Sequence, residues 1–392
     1  MRRFKTLPPL FIAMVMLMFG FPPPPARAAE APADLAPQAV SAILMEASTG
    51  TVLFEKNAHE KLPPASITKI MTMLLIMEAL QEGRITLDEM VRASEHAASM
   101  GGSQIFLEPG EQMSVRDLLK GIAVASGNDA SVAMAEHIAG TEEAFVAMMN
   151  QKAEQLGMKN THFTNASGLP AEGHYTTAYD IAVMSRELLK HEAITQFTGI
   201  YQDYLRQNSE NPFWLVNTNK LVRFYEGVDG LKTGYTSEAG FCLSATAKRG
   251  DMRVIAVVMG EPDAKSRNRE VSRLLDYAFA NYTVHPLFAP GDFITQVRIN
   301  KGEQQLLPLH ASQQISILMK KGEKPQDYDT QIVLNEPLQA PLRRGESIGH
   351  IRVSKDGETV YTYQLTMPHD VKKASLWQLL KRTGKSMFLP FG

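Results

Sequence analysis

Apolar and polar positions divide the first half of the chain into segments of different character. Residues 40–55 are typical of two strands around a Ser-Thr-Gly turn, since short apolar runs flank turn-forming residues. Residues 66–80 are apolar on nearly every side, which predicts a helix buried at the centre of a domain. Alanine-rich sequence with helical character then dominates residues 115–189.

Strand character returns after this helical block. Residues 230–234, 240–248 and 252–260 are predicted strands, and an Arg-Gly-Asp sequence between the last two is suited to a hairpin turn. Residues 267–282 have the apolar stripe of a helix. Strands on both sides of a helical block favour one antiparallel sheet with helices packed on it, a mixed α/β fold of the α+β kind.

The pattern changes again near residue 283. Short β segments separated by turn residues replace the helical periodicity, which predicts a second, small all-β domain over residues 283–370. Its predicted segments are residues 293–299, 314–319, 348–353 and 359–365.

The first residues have the features of a targeting segment. Basic residues precede an apolar run over residues 10–21, and Ala26-Arg27-Ala28 is a small-x-small cleavage pattern. We expect a cleaved secretory signal over residues 1–28, which places the domain of residues 29–282 outside the cytoplasm. An uncleaved membrane anchor is the alternative, although the apolar run is short for a span of roughly 20 residues.

Composition narrows the classes of function. Of 392 residues, 44% are hydrophobic and 21% are charged, so the chain can bury a sizeable core. The formal net charge is -2 without a long basic run, which disfavours nucleic acid as a partner. Cys242 is the single cysteine, so an internal disulfide and a cysteine zinc site are excluded, and a small core residue is the simplest interpretation. We expect no metal and no cofactor.

Ser66 and Lys69 begin the apolar helix with a Ser-x-x-Lys spacing that occurs once in the chain. Residues three apart share a helix face, so the lysine can reach the serine hydroxyl. Burial and the helix N-terminus can lower the lysine pKa until the amine acts as a base for a serine nucleophile. Alone, the motif is also compatible with a capping serine and a solvated lysine.

Two further polar groups stand in apolar surroundings. Ser126 and Asn128 lie between helical stretches, where they form either part of a site or a simple helix break. Lys232, Thr233 and Gly234 begin a strand that can present its backbone to an extended substrate. The alternative for this second group is an edge strand kept soluble by its lysine.

Together and in this order, the three motifs are typical of penicillin-binding proteins and serine β-lactamases. The sequence resembles a D-alanyl-D-alanine carboxypeptidase, a low-molecular-mass penicillin-binding protein of the penicillin-binding protein 5 type. The resemblance covers essentially the whole mature chain and implies a β-lactamase/transpeptidase-like fold. The segments that carry it include PPASITKIMT, ASGNDAS, HFTNASGLP, HYTTAYDIA and DGLKTGYTSEAGFCLSATA.

The resemblance implies three catalytic side chains. Ser66 is the expected nucleophile, which forms an acyl-enzyme with the penultimate D-alanine and releases the terminal one. Lys69 is its expected general base. Ser126 is expected to relay a proton to the leaving amine.

The resemblance also implies a set of binding groups. Asn128 is expected to hold a substrate amide, Lys232 to set the electrostatics, and Thr233 with Gly234 and their strand to dock the peptide. Backbone N–H groups of Ser66 and Tyr235 are expected to form the oxyanion hole. Arg267 is expected near the substrate carboxylate, with Arg269 as a nearby alternative. His162 and His174 lie in family-like segments, where a structural role is expected.

Residues 371–392 form a basic tail without an acidic residue, in which lysine and arginine alternate with leucine and aromatic side chains. This pattern favours a short amphipathic helix that binds the membrane surface. A helix docked on the protein's own surface is the alternative.

The sequence therefore predicts a serine carboxypeptidase that trims peptidoglycan pentapeptide stems and is acylated by β-lactams such as penicillin. We expect it at the outer face of a bacterial cytoplasmic membrane. A serine β-lactamase and a catalytically silent binding protein are the alternatives.

Overall fold

An antiparallel sheet of five strands forms the centre of the computed structural model, which describes residues 34–388. The predicted signal segment lies outside the described residues. The strands in the first part of the chain, up to Asn281, are β1 (Ser41–Glu46), β2 (Val52–Lys56), β3 (Met90–Arg92), β4 (Gln112–Ser114), β5 (Gln202–Leu205), β6 (Phe213–Val216), β7 (Val228–Thr236), β8 (Gly240–Arg249) and β9 (Met252–Glu261). The sheet order is β2-β1-β9-β8-β7. Strands from before and after the helical block therefore join in one sheet, as the order of elements along the sequence predicted.

Helices pack against this sheet or against one another. They are α1 (Lys69–Gln81), α2 (Glu95–Ala98), α3 (Val115–Lys120), α4 (Asn128–Ala139), α5 (Glu142–Gln155), α6 (Ala178–Leu188), α7 (Thr195–Thr198), α8 (Leu221–Phe224) and α9 (Ala264–Asn281). Helix α1 is buried on all sides from Lys69 to Met77, as its lack of a polar face predicted. The same core includes Ile43 of β1 and Val257 of β9 on one face of the sheet, whereas the buried side chains of α9, such as Leu274, lie outside this cluster.

Two local features differ from the sequence expectations. The serine of the Ser-x-x-Lys motif precedes α1 in a 3₁₀ turn, Ala65–Thr68, rather than lying in the α-helix itself. The helical block is interrupted by a π-helical turn, Gly121–Ala125, and by an irregular stretch over residues 156–177. Both interruptions lie beside the polar motifs, and periodicity alone does not show them because neighbouring segments remain helical.

A second part of the chain is built of strands. They are β10 (Tyr282–Phe288), β11 (Phe293–Asn300), β12 (Leu306–His310), β13 (Ile315–Lys320), β14 (Tyr328–Leu334), β15 (Leu338–Gln339), β16 (Ser347–Lys355) and β17 (Glu358–Thr366). The four segments expected from the sequence are present, and β10, β12, β14 and β15 are additional. This all-β part has apolar clusters of its own, separate from the core around α1.

The end of the β part lies a few residues later than the sequence suggested. Val371 exchanges backbone hydrogen bonds with Leu342 and is buried, and the Ala374 N–H donates to the Lys301 carbonyl. The tail helix α10 (Leu376–Phe388) therefore follows a four-residue segment that packs with the β domain. No helix in the described part of the chain is both long and apolar enough to cross a membrane.

Candidate active site

Ser66 and Lys69 meet at the beginning of α1, as their spacing predicted. Lys69 Nζ lies 3.1 Å from Ser66 Oγ, and the lysine side chain is fully buried. Burial is the main cause that holds the pKa of Lys69 well below its ordinary value, and the positive charge of Lys232 lowers it further. The site therefore favours a neutral amine, the form that can accept a proton.

The other hydrogen bonds of Lys69 fit a neutral amine. Its Nζ donates to Asn128 Oδ1 and to the Ser167 carbonyl, each at 2.6 Å. A neutral amine has two N–H donors and one lone pair, whereas an ammonium has three donors. In the neutral form that burial favours, the two N–H donors serve Asn128 and Ser167, and the lone pair can then accept the hydroxyl proton of Ser66. This geometry allows the proton of Ser66 to pass to Lys69.

The Ser-x-Asn motif lies where the π-helical turn meets α4. Ser126 has a left-handed backbone with φ of 65° and is buried, although its hydroxyl makes no hydrogen bond with the described residues. Asn128 Nδ2 donates to the Gly101 carbonyl at 2.6 Å, while its oxygen holds Lys69. A non-glycine residue with positive φ persists only where its surroundings hold it, and such strain is frequent at functional sites.

Asp129 is a positioning residue that sequence reasoning missed. Its carboxylate accepts the backbone N–H groups of Ile105 and Leu107 at 3.0 to 3.1 Å, which holds the 101–107 loop against the start of α4. Its negative charge also acts on Lys69, whose pKa it raises against the larger effect of burial. The sequence feature that could have identified Asp129 is its position directly after Asn128 of the Ser-x-Asn motif.

The Lys-Thr-Gly motif lies on β7, beside the 3₁₀ turn Ala65–Thr68 that carries Ser66, the serine turn. A side chain at Gly234 would place its Cβ 3.1 Å from the Pro64 carbonyl and from Ile67, so glycine is what permits this close approach. Thr233 Oγ1 donates to Thr218 Oγ1 at 2.7 Å. The backbone that follows the motif therefore runs alongside the turn that carries the nucleophile.

Lys232 and Arg267 add buried positive charge. The pKa of Lys232 is lowered to about 7, chiefly by burial and then by Arg267, and its Nζ donates to the Thr233 carbonyl at 2.8 Å. The guanidinium of Arg267 donates to Asn268 Oδ1. Among the described residues, no carboxylate forms an ion pair with either side chain. Two buried cations without an anionic partner create a site that favours a negatively charged group.

The choice between the two arginines follows from their surroundings. Arg267 is buried on α9, whereas Arg269 donates to Gln38 and Ser266 in a more exposed position. Arg267 is also the arginine whose charge acts on Lys232. The geometry therefore favours Arg267 for a substrate carboxylate.

Tyr235 directly follows the Lys-Thr-Gly motif on β7. Its ring is exposed and lies against Phe241, with 4.3 Å between ring centroids. Only its backbone N–H is available for the expected oxyanion role. Cys242 is buried, and burial raises the pKa of its thiol to about 11, which suits an inert core residue.

The loop around Ser167 is a second part of the site that the sequence motifs did not include. Asn165 Oδ1 accepts the Gly168 N–H at 2.6 Å, and Thr72 Oγ1 donates to the Ala166 carbonyl. Gly168 has φ of +86°, and a Cβ there would lie 1.9 Å from the Ala65 carbonyl oxygen. The loop is thus pressed against the serine turn, which places the Ser167 carbonyl on Lys69.

His174 contacts the serine turn through the hydroxyl of Thr68. Its Nδ1 accepts the Thr164 N–H at 2.9 Å, so the ring proton is on Nε2, which donates to Thr68 Oγ1 at 2.8 Å. Burial, with His162 nearby, lowers the pKa of His174 to about 4, so the ring is neutral near pH 7. His162 contacts the Gly173 carbonyl outside the site. Both contacts agree with the structural role expected for these histidines.

A serine beside a buried amine, two further polar motifs and unpaired cations define the layout of a serine acyl-transfer enzyme that uses lysine as its base. No group of His, Cys, Asp and Glu side chains in the described part of the chain could hold a metal ion.

Comparisons with known proteins identify the family. Residues 26–263 match the family model of D-alanyl-D-alanine carboxypeptidase, and residues 282–373 match that of the penicillin-binding protein 5 C-terminal domain. The chain is 52% identical over 379 residues to D-alanyl-D-alanine carboxypeptidase DacF of Bacillus subtilis, with 97% of each sequence covered. It is 36% identical to DacC of Escherichia coli, with 86% of this chain and 84% of the relative covered.

Solved structures of similar fold support the same family assignment. Penicillin-binding protein 5 of Haemophilus influenzae superposes with a TM-score of 0.69 at 34% identity, covering 86% of this chain and 98% of that one. Penicillin-binding protein D2 of Listeria monocytogenes, solved with bound cefotaxime, superposes with a TM-score of 0.57 at 31% identity, covering 62% and 97%. This chain belongs to the D-alanyl-D-alanine carboxypeptidase family and is a serine peptidase of the penicillin-binding protein class. The resemblance and the fold class expected from the sequence are confirmed.

Proposed function

We propose that the protein removes the terminal D-alanine from peptidoglycan pentapeptide stems through an acyl-enzyme on Ser66. The hydroxyl oxygen attacks the carbonyl of the penultimate D-alanine while its proton passes to Lys69. Backbone N–H groups of Ser66 and Tyr235 stabilise the oxyanion. The C–N bond then breaks, Ser126 relays a proton to the departing amine, and water hydrolyses the ester.

The hydrogen bonds of Lys69 carry this proposal. In the neutral amine that burial favours, the two donors are used by Asn128 and Ser167, so the lone pair is free to accept the proton of Ser66, whose Oγ lies 3.1 Å away. The unpaired cations Lys232 and Arg267 support a substrate that ends in a free carboxylate, which separates a carboxypeptidase from an endopeptidase. Asn128 Nδ2 carries a second N–H besides the one bonded to the Gly101 carbonyl, and this group can donate to the substrate backbone.

The two alternatives of the sequence analysis lack comparable support. A β-lactamase needs a base that activates water for rapid deacylation, yet the carboxylate that acts on Lys69 is Asp129, which is held by backbone N–H groups. A silent binding protein would not require a lysine with a lowered pKa beside a serine. A slowly hydrolysed acyl-enzyme with penicillin follows from the same argument.

D-alanine release from a diacetyl-Lys-D-Ala-D-Ala peptide tests the proposal. We expect the wild-type protein to release free D-alanine and to be labelled by a fluorescent penicillin. Ser66→Ala should abolish both, while Ser347→Ala, at an exposed serine of the β domain, should leave both unchanged. Labelling that persists in Ser66→Ala, or rapid turnover of the β-lactam, would contradict the assignment.

We also propose that the mature protein is exported and that α10 attaches it to the outer face of the cytoplasmic membrane. Leu376, Trp377 and Leu380 are 81%, 66% and 65% exposed, which is unusual for large apolar side chains unless another phase covers them. Lys381 lies over the Trp377 ring, so a basic group borders the apolar one. Arg382 donates to the Gly302 and Glu303 carbonyls and ties the helix to the β domain.

Partition into anionic phospholipid vesicles tests the anchor. Removal of residues 375–392 leaves the Val371 pairing intact and should move the protein to the soluble fraction with D-alanine release unchanged. In the full chain, replacing Leu376, Trp377 and Leu380 with serine should have the same effect, with Gln378→Ser as the matched control. A truncated protein that still sediments with vesicles would rule out the anchor and favour a helix docked on the protein.

A further inference from the structure

The β5–β6 hairpin has an unusual outer face. Tyr204 pairs directly opposite Trp214, and these side chains are 47% and 56% exposed. The opposite face carries Leu205 and Leu215, which are fully buried. An antiparallel hairpin with one buried face usually presents polar side chains to water. Here two large aromatic side chains at opposed positions of the hairpin are exposed to solvent.

The hairpin does not depend on this aromatic pair for its attachment. The Arg206 guanidinium binds the carboxylate of Glu111 through two hydrogen bonds and donates to the carbonyls of Ile105 and Phe106. Lys120 forms an ion pair with Asp203 at 2.9 Å. With the apolar face buried as well, the hairpin is held from its inner side. The exposed rings are therefore available for another purpose.

The hairpin leads directly to the candidate active site. Four residues after Trp214, Thr218 accepts the hydrogen bond of Thr233 from the Lys-Thr-Gly strand. Four residues of extended chain span no more than roughly 14 Å. In a pentapeptide stem, the scissile carbonyl is likewise separated from the sugar by four residues, which span roughly 13–14 Å when extended. Trp214 therefore lies within roughly 14 Å of Thr218, and a stem bound at the site can extend its glycan by a similar length, so the glycan is within reach of the rings.

We infer that Tyr204 and Trp214 form a docking platform for the glycan strand to which the stem peptide is attached. Their rings are rigid and present negative π-faces, against which the C–H groups of a sugar ring pack. Such stacking needs no charge on the ligand, in keeping with neutral N-acetylhexosamines. The inference rests on the proposed function for the identity of the substrate, while binding of the sugar itself can be measured without catalysis.

Tryptophan fluorescence gives the direct test, because the chain has two tryptophans, Trp214 and Trp377. In Trp377→Phe, the emission of Trp214 should change on titration with linear N-acetylglucosamine oligomers. In the matched variant Trp214→Phe, the remaining Trp377 should report no change. An unchanged Trp214 emission, or a change confined to Trp377, would overturn the platform.

Kinetics give the second test. For Tyr204→Ala with Trp214→Ala, we compare kcat/KM for a disaccharide-linked pentapeptide with kcat/KM for the free pentapeptide. The ratio should fall roughly tenfold, the scale of a lost aromatic contact. Phe293→Ala, at an exposed aromatic of the β domain, should keep the wild-type ratio. A ratio that stays constant, including an equal loss on both substrates, would contradict the platform. Failure of the wild-type protein to release D-alanine from either substrate would refute the proposed function instead.

Discussion

The two parts of this chain differ in what they bury. The first part encloses several charged side chains, Lys69, Lys232 and Arg267 among them, within its apolar core and helix ends. From Tyr282 onward, Ser316 is the only buried polar side chain among the described residues. In the β part, strand β11 buries Ile294, Val297 and Ile299, and its one charged side chain, Arg298, is exposed.

This difference separates a part built for chemistry from one built for stability. Burying a charge without a partner is unfavourable, so a fold keeps such groups only where surrounding structure enforces them. In the first part, the enforcement comes from loops that press on the serine turn. In the β part, regular strands satisfy their own backbone groups and leave little unpaired. Function is therefore expected to be sensitive to changes in the first part and tolerant of changes in the second.

The largest effect should follow from replacing Lys69 by methionine, which keeps the length but removes the amine. We expect D-alanine release to fall about a thousandfold, because a general base contributes roughly 10²–10⁴ to the rate. Lys355→Met in β16 is the control, and should keep wild-type activity. Residual activity of Lys69→Met within tenfold of wild type would mean that another group removes the serine proton. Steady-state kinetics on the peptide substrate measures both variants.

A pair of glycines separates backbone strain from close contact. Gly168 and Gly357 have φ of +86° and +83°, but a Cβ at Gly168 would collide with the Ala65 carbonyl, whereas that at Gly357 meets open space. We expect Gly357→Ala to lose about 1 kcal/mol of folding free energy, the cost of a left-handed alanine. Gly168→Ala should lose roughly 3 kcal/mol or more and much of the D-alanine release. Chemical denaturation followed by circular dichroism compares them, and equal losses would show that the contact is unimportant.

The periodic parts of this fold were accessible from the sequence. The apolar helix α1, strands β7 to β9 and four strands of the β domain follow from local patterns of period 3.6 or 2. Strands β10, β12, β14 and β15 of the β domain escaped prediction, as did the short strands β3 to β6. In β14 most side chains are exposed, so the strand lacks the apolar alternation that marks a buried face.

The candidate site was accessible only in part. The three motifs named Ser66, Lys69 and Lys232 because their spacing has a chemical meaning within a few residues. Ser167 lies in one of the family-like segments, but its role was not identifiable, because it contributes a backbone carbonyl to Lys69 from 98 positions away. Asp129 likewise acts through backbone groups of a distant loop. Such contacts depend on tertiary structure, and no local pattern encodes them.

Lys232 should reveal its burial through the pH dependence of stability. Its pKa in the folded protein is about 7, below the ordinary value of 10.5, so the unfolded chain binds more protons between these values. Its contribution to stability therefore improves as pH rises from 7 to 10.5, and the full penalty applies below 7. Lys232→Met should remove this dependence and stabilise the protein at pH 6 by roughly 2–4 kcal/mol. Urea denaturation at pH 6 and 9.5 measures it, and parallel pH profiles of the variant and wild type would contradict the argument.

The smallest effect is expected at the ion pair of the β domain. Lys355 Nζ lies 2.5 Å from Glu323 Oε1, and this hydrogen bond is the main reason that the pKa of Glu323 is lowered to about 2. A carboxyl with a lowered pKa stabilises the folded state above its ordinary value of 4.5, and this contribution is lost as pH falls toward 2. Glu323→Gln should therefore lower the thermal midpoint slightly at pH 6, with a difference that disappears near pH 2 and shrinks in high salt. Glu336→Gln, at an exposed carboxylate between β14 and β15, serves as the control for the same change of net charge. Calorimetry across pH measures the thermal midpoints. A large destabilisation of Glu323→Gln at pH 6 would show that this ion pair resembles the buried charges of the first part, which would contradict the comparison of the two parts.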